Sequence, residues 1–425
     1  MDSRCGRQIL LNSQLPHTTT LQPEVDPEVL KDHILLEILI VLLFQRSVVK
    51  PFMKKMFNIL AIILLVKGYA AAQVNIKEII RFKDTVVVEK YTPDKNNFSH
   101  LKLKMAPGDY SISTLSEIKK LDGQTIVGVD LVYSDYPVGE NFTELNRKRI
   151  LELYMHLPST FNNPMIKWQI VKQTGVERTG NIQNYFHGFV IYYRPLPTFQ
   201  EENKTITDII DGKVAPTDST LLKVFDRNKA WKDMLVVCDV TGSMSPYTAQ
   251  LLFWIKSNQK LKTFKQIVFF NDDDNKSTNQ TAATDATGIW SIESGNSTKV
   301  IETAFEAMQK GSHEENDLEA ICYAIKKYPE NKGNVVLIAD NWENPCDMQL
   351  LEYLKNQKIP VHIIVCGVTD RMNTLYLDIA YATGGSIHTM EEDLSNIATM
   401  GEGKVIRFGN LKFKMTGGKF VQIAG

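Results

Sequence analysis

Several signatures that usually disclose a protein's chemistry are missing from this chain. Its five cysteines in 425 residues form no CxxC pair and no His/Cys zinc spacing, so a dithiol redox motif and a zinc finger are excluded. Neither sign of charge dominates. Lys and Arg number 48 against 49 for Asp and Glu, so nothing argues for a nucleic-acid groove or a polybasic membrane patch. There is no GxSxG elbow and no Walker A loop. His313-Glu314 opens like the HExxH of a zinc protease, but Asp317 stands where the second His belongs. Long apolar runs are also lacking. Ile34 to Phe44 is interrupted by Glu37, and Phe57 to Val66 is ten residues, whereas a bilayer span needs about 20.

What is present near the start reads as an export signal. Lys54 and Lys55 form a basic stretch, Phe57 to Val66 an apolar one, and Ala70-Ala71-Ala72 a small-residue cleavage site. The expectation is a cleavable signal peptide over 53–72, with residues 1–52 as an extension ahead of the true start at Met53. No Cys follows the cleavage site, so a lipid anchor is not expected. The product would be periplasmic or secreted.

The remainder divides by texture. Between 73 and 197, Thr85 to Tyr91, Thr125 to Tyr133, Met165 to Gln173 and His187 to Tyr193 are rich in β-branched and aromatic residues and read as strands. Thr143 to His156 places Leu145, Ile150, Leu151, Leu153 and Tyr154 on roughly one helical face. This segment is expected to be a small α+β domain. Thr198 to Thr217 is polar and reads as a linker, followed by a short amphipathic helix from Ser219 to Asn228, so that 198–230 leads into the next domain.

From 231 to 400 strands alternate with helices. Met234 to Cys238, Ile267 to Phe270, Val335 to Ala339 and Val361 to Cys366 are apolar runs of the kind buried on both faces of a parallel sheet. Cys238 and Cys366 lie inside such runs and read as small core residues. Between the runs lie helical patterns. Ser245 as cap with Pro246 at the first position opens one, Val300 to Met308 and Leu318 to Ile325 are two more, and Asp347 to Gln357 another. A last one stops at Gly384-Gly385 before an expected strand, Ser386 to Met390. The alternation predicts an α/β fold with a doubly wound, mostly parallel sheet, whose ligands bind beyond the carboxyl ends of the strands. Residues 401–425 are left as a C-terminal extension.

At those strand ends the residue types become specific. The first run ends in Asp239-Val240-Thr241-Gly242-Ser243, a carboxylate and two hydroxyls at two-residue intervals around a flexible glycine. A later run ends in Asp340. All four side chains offer hard oxygen, the donor preferred by Mg²⁺, Mn²⁺ or Ca²⁺. Asp272-Asp273-Asp274 reads as a solvated loop. Trp231, Trp254 and Trp290 read as packing residues, and Trp342, beside Asp340, is a candidate for a binding surface.

This pattern resembles the metal-ion-dependent adhesion site of von Willebrand factor A domains, in a protein of the secreted bacterial kind. Asp239, Thr241 and Ser243 match the first element of that motif and Asp340 the third. The family's second loop usually gives a Thr. Here Gly311 to Asp317 contains none, and Glu315 or Asn316 stands in its place. The resemblance covers roughly 231–400. It implies a bound Mg²⁺ (or Mn²⁺ or Ca²⁺), a protein partner that offers an acidic side chain to the metal, and no catalysis. The other readings are an envelope protein whose metal only stabilises the fold, and a metal-dependent hydrolase.

Overall fold

A computed structural model describes residues 85–94, 98–176, 181–258, 263–271, 288–310, 316–331 and 335–423. The expected extension and signal peptide lie outside the described residues, as do Asp272 to Asp274 and Glu315. The chain forms two compact units that divide between Arg194 and Pro195. Among the described residues no helix is long and apolar enough to cross a membrane.

The first unit holds a sheet in the order β1-β4-β3-β5-β2, with β1 Thr85–Val88, β2 Ser99–Lys104, β3 Thr125–Ser134, β4 Lys167–Gln173 and β5 Gly188–Arg194. Strands β1 and β3 run parallel to β4, and β2 runs antiparallel to β5. Helix α1, Thr143–His156, makes the crossover between β3 and β4. Its Ile150 and Leu153 are buried against Val129, Leu131, Phe189 and Ile191 of the sheet. Arg149, on the same helix, is fully buried, and its guanidinium donates to the carbonyls of Asp109 at 2.8 Å and Ala106 at 3.3 Å. Asp130 is held by the hydroxyls of Tyr91 at 2.7 Å and Tyr192 at 3.0 Å. Bonds of this kind are what permit such polar groups to be buried.

The second unit is built on a sheet in the order β12-β11-β10-β9-β6-β7-β8. Its strands are β6 Met234–Asp239, β7 Phe264–Phe270, β8 Ile289–Glu293, β9 Val335–Asp340, β10 Val361–Cys366, β11 Ser386–His388 and β12 Asp393–Leu394. The interior strands pair in parallel, and β8 and β12 are antiparallel edges. Alternate residues of one strand feed two separate cores, as the two-residue period of a strand requires. Leu235, Val237, Leu337 and Ile363 join helices α6 Asp317–Lys327, α7 Leu351–Gln357 and α8 Thr374–Thr383. Val236, Cys238, Ile338 and Ile364 join α2 Phe199–Ile210, α3 Thr220–Arg227, α4 Ser245–Ser257 and α5 Ser297–Lys310. Helices therefore cover both faces of a parallel-rich α/β sheet.

Three expectations need correction. The polar stretch after residue 198 is not a bare linker. Thr198 and Glu201 form a reciprocal capping box that starts α2, and Ile206, Ile209 and Ile210 bury one face of that helix. Ser245 is not the cap of α4. Met244 holds that position, while the Ser245 hydroxyl sits 2.9 Å from Glu202 Oε1 and 2.7 Å from the Gly242 carbonyl. The C-terminal segment is no mere extension, since it folds into a meander of β13 Val405–Phe408, β14 Leu411–Thr416 and β15 Lys419–Ile423. Phe408, Phe413, Met415 and Phe420 from this meander belong to the core that α8 also lines.

Candidate metal centre

Strand β6 is the point at which the sheet reverses its winding. It pairs with β7 on one side and with β9 on the other, so the crossovers leave in opposite directions and open a crevice beyond its carboxyl end. Asp239 is the last residue of β6 and Asp340 the last of β9. The switch point thus carries a carboxylate on each flank, and both are buried.

The loop after β6 is shaped by its own side chains. The Thr241 amide donates to Asp239 Oδ1 at 2.7 Å, a tight turn closed by the carboxylate. It brings the Thr241 and Ser243 hydroxyls within 3.4 Å of each other. Thr241 is buried and Ser243 half-buried. The loop after β9 closes in the same way, with the Trp342 amide donating to Asp340 Oδ1 at 3.0 Å. Asn341 braces that loop from below. Its amide nitrogen donates to the Arg371 carbonyl at 3.0 Å, and its oxygen accepts from the Asn373 amide at 2.8 Å. Trp342 is buried and its indole donates to the Gly367 carbonyl at 3.2 Å, so it packs the loop rather than facing a surface.

Two further buried carboxylates act on this site electrostatically, neither among the residues singled out from the sequence. Asp317 opens α6 and is wholly buried, with neither carboxylate oxygen hydrogen-bonded. Burial, and then the charges of Asp347, Asp239 and Asp340, push its carboxyl well above the usual carboxylate range. Asp347 lies across the N-terminus of α6, where its Oδ2 accepts from the Glu319 amide at 2.6 Å. That helix end favours negative charge, yet burial still pushes Asp347 up to about 7. Asn316, the expected second-loop residue, is the N-cap residue of α6 and is buried. A hint of Asp317 was available in the Asn316-Asp317 pair just before an apolar helical pattern, but that pair equally suits a helix start. Nothing in the sequence spacing pointed to Asp347.

Buried negative charge of this density has to be met by protons or by a cation. The donors fit a hard divalent ion, because Asp239, Asp340, Thr241 and Ser243 offer carboxylate and hydroxyl oxygen only. Among the described residues no three Asp, Glu, His or Cys side chains converge as a metal cluster. An ion here would therefore rest on two carboxylates at most, with hydroxyls and water completing its shell.

The histidines belong to other places. His187 is buried, with Nδ1 3.1 Å from the Tyr185 carbonyl. His362, Ser386 and His388 form a chain with contacts of 2.7 and 2.6 Å, and His388 Nδ1 lies 2.9 Å from Asp393. The order of groups is that of a hydrolase triad, but Ser386 is buried at the start of β11 with a second histidine against its hydroxyl. Cys238, Cys322 and Cys366 are buried free thiols.

No protein-family model matches this chain, and no curated protein matches it.

Proposed function

We propose that the second unit is a von Willebrand factor A-type domain that binds a divalent cation, Mg²⁺ first among Mg²⁺, Mn²⁺ and Ca²⁺. Asp239, Thr241, Ser243 and Asp340 would hold the ion, with Asn316 or Glu315 beside it. The observation that carries this reading is the pair of buried carboxylates at the carboxyl ends of β6 and β9, at the switch point. When bound, the cation supplies a positive centre with coordination positions left for a partner's Asp or Glu. The chain's own part is to hold four oxygens in place through the two turns at Thr241 and Trp342. The reading of an exported binding protein, not an enzyme, rests further on the residue pattern at 53–72 and on the absence of a sequence motif for a nucleophile.

Burial favours a second reading at the same site. With Asp239, Thr241 and Asp340 all buried, an ion there would stabilise the fold without reaching a partner. Calorimetric titration of Mg²⁺, Mn²⁺ and Ca²⁺ into the protein and into Asp239→Ala is the test of the metal. Heat that the variant loses supports the site, and no heat in either protein refutes it. A partner retained only with metal, by a variant-sensitive site, then favours the adhesion reading. Thermal stabilisation by the ion, without any such partner, favours the structural one.

A further inference from the structure

The near-neutral charge total, which argued against a basic patch, conceals an uneven distribution. In the C-terminal meander alternate residues point to opposite faces, as in any strand. Phe408, Leu411, Phe413, Met415 and Phe420 are buried in the core shared with α8. The strand register sets out the other face. Val405 lies opposite Lys414, which lies opposite Val421. Arg407 lies opposite Lys412, which lies opposite Ile423, and Thr416 lies opposite Lys419. This outer face therefore carries four cations, three aliphatic side chains and no carboxylate. Arg407, Lys414 and Lys419 are exposed, and Val405 and Val421 are 51% and 49% exposed.

Two features separate this face from an ordinary solvated surface. Its charges are not balanced. Arg407, Lys412 and Lys414 have no ion-pair partner among the described residues. The carboxylates that meet the meander are engaged at its turns and underside. Glu402 accepts from the Gly417 and Gly418 amides at 2.9 and 3.2 Å, and Glu392 accepts from the Gly409 amide. Asp378, on α8 beneath, accepts from the Phe420 amide at 2.9 Å and is the carboxylate on which Lys419 acts. The second feature is that Arg407 and Lys412 are direct cross-strand neighbours, a pairing of like charges that destabilises a sheet. A surface shaped for stability alone would place a carboxylate at one of the two positions.

Such a face is complementary to an anionic partner, and its size and residue types narrow the choice. Three strands about 4.8 Å apart and about five residues long span roughly 14 by 17 Å, about 240 Å², against the ~800 Å² per partner of a standard protein interface. No Tyr, Trp or Phe stands on it to anchor a protein or to stack a base. An anionic bilayer requires neither. Its headgroups attract cations across a Debye length of about 8–10 Å, and aliphatic side chains between the cations meet the headgroup layer.

We infer that the outer face of the meander docks on a membrane surface rich in anionic phospholipid. Each cation brought to such a surface gives roughly a fivefold gain in binding, so removing three should cost on the order of a hundredfold.

Co-flotation of the full chain with vesicles, in EDTA, tests this. The vesicles are phosphatidylcholine alone and a three-to-one mixture of phosphatidylcholine with phosphatidylglycerol. The preference for mixed over neutral vesicles should exceed tenfold at low salt and collapse at about 0.5 M salt. It should fall at least tenfold in Arg407→Gln/Lys412→Gln/Lys414→Gln and be unchanged in Lys223→Gln/Lys299→Gln/Lys355→Gln, which removes three exposed cations elsewhere. The first of these variants should melt no lower than the parent, since like-charge repulsion is relieved, so its loss is read on a folded protein. No preference for anionic vesicles, a preference that this variant keeps, or an equal loss in the control variant overturns the assignment. Capture of polyglutamate or duplex DNA through the same three residues, without a preference for anionic vesicles, overturns it in favour of an acidic protein or a nucleic acid. The docking does not rest on the metal reading, and Asp239→Ala should leave every one of these outcomes as in the parent.

Discussion

Replacing Asp347 by Asn should make the metal-free protein more stable at neutral pH. Asp347 is wholly buried, and its carboxyl is raised from 3.8 to about 7 by that burial. A carboxyl raised in the folded state holds its proton while the unfolded chain has lost it, so the native form binds more protons between those two values. Stability therefore falls as pH rises across the window from 3.8 to about 7. The penalty is absent below the window and fully developed above it. About three pH units at 1.36 kcal/mol each give roughly 4 kcal/mol as the upper bound. An Asn keeps an oxygen to accept from the Glu319 amide and removes the charge, so the variant should lose this pH dependence. Urea unfolding followed by tryptophan fluorescence, in EDTA at pH 4, 5.5 and 7, measures it. The difference between variant and parent should be small at pH 4 and grow in the variant's favour to as much as about 4 kcal/mol at pH 7. Saturating Mg²⁺ should shrink the difference if a cation neutralises this cluster. A difference that does not change with pH, or that favours the parent at pH 7, refutes the argument.

Two further outcomes are expected. Phe413→Ala should cost about 3–5 kcal/mol, because the ring is fully buried in the core shared with α8; a melting temperature within a degree of the parent would mean that the C-terminal meander is not part of that core. Asp393→Asn should cost about 1–3 kcal/mol at pH 6. Burial acts to raise the Asp393 carboxyl, but hydrogen bonds from His388, Arg227 and Asn228 outweigh it and hold the carboxyl below the usual range. The stabilisation this gives is present above about pH 4 and lost as pH falls below it, so the variant should show a shallower acid limb than the parent in urea melts between pH 5 and 2.

The two-sided burial of β6, β7, β9 and β10 was legible because each is a continuous apolar run between helical patterns, and the two separate cores follow from it. Edges were harder. β8 is half-buried and β12 is two residues long, so neither has a pattern of its own that separates it from a loop. Helix α2 was hidden by the charged face of EENKTITD, although Ile206, Ile209 and Ile210 stood at helical spacing. The meander from β13 to β15 alternates through Leu411, Phe413 and Met415, a signal that position near the end of the chain obscured. At the candidate centre, Asp239, Thr241, Ser243 and Asp340 were legible because strand ends and a turn fix them locally. Asp317 and Asp347 act on it through the packing of a helix end and a distant loop, and no local spacing encodes that.

The shortness of β12 has a consequence for how this protein behaves in a crowded solution. An open sheet exposes a row of unpaired amides and carbonyls at each border, and a long apolar border invites another chain to add a strand. Here the border next to β11 is only Asp393–Leu394, and the Arg227 side chain reaches across to donate to the carbonyls of Thr389 and Met390. With a border only two residues long and the turn behind it pinned by Arg227, this side of the sheet offers a foreign strand little to pair with.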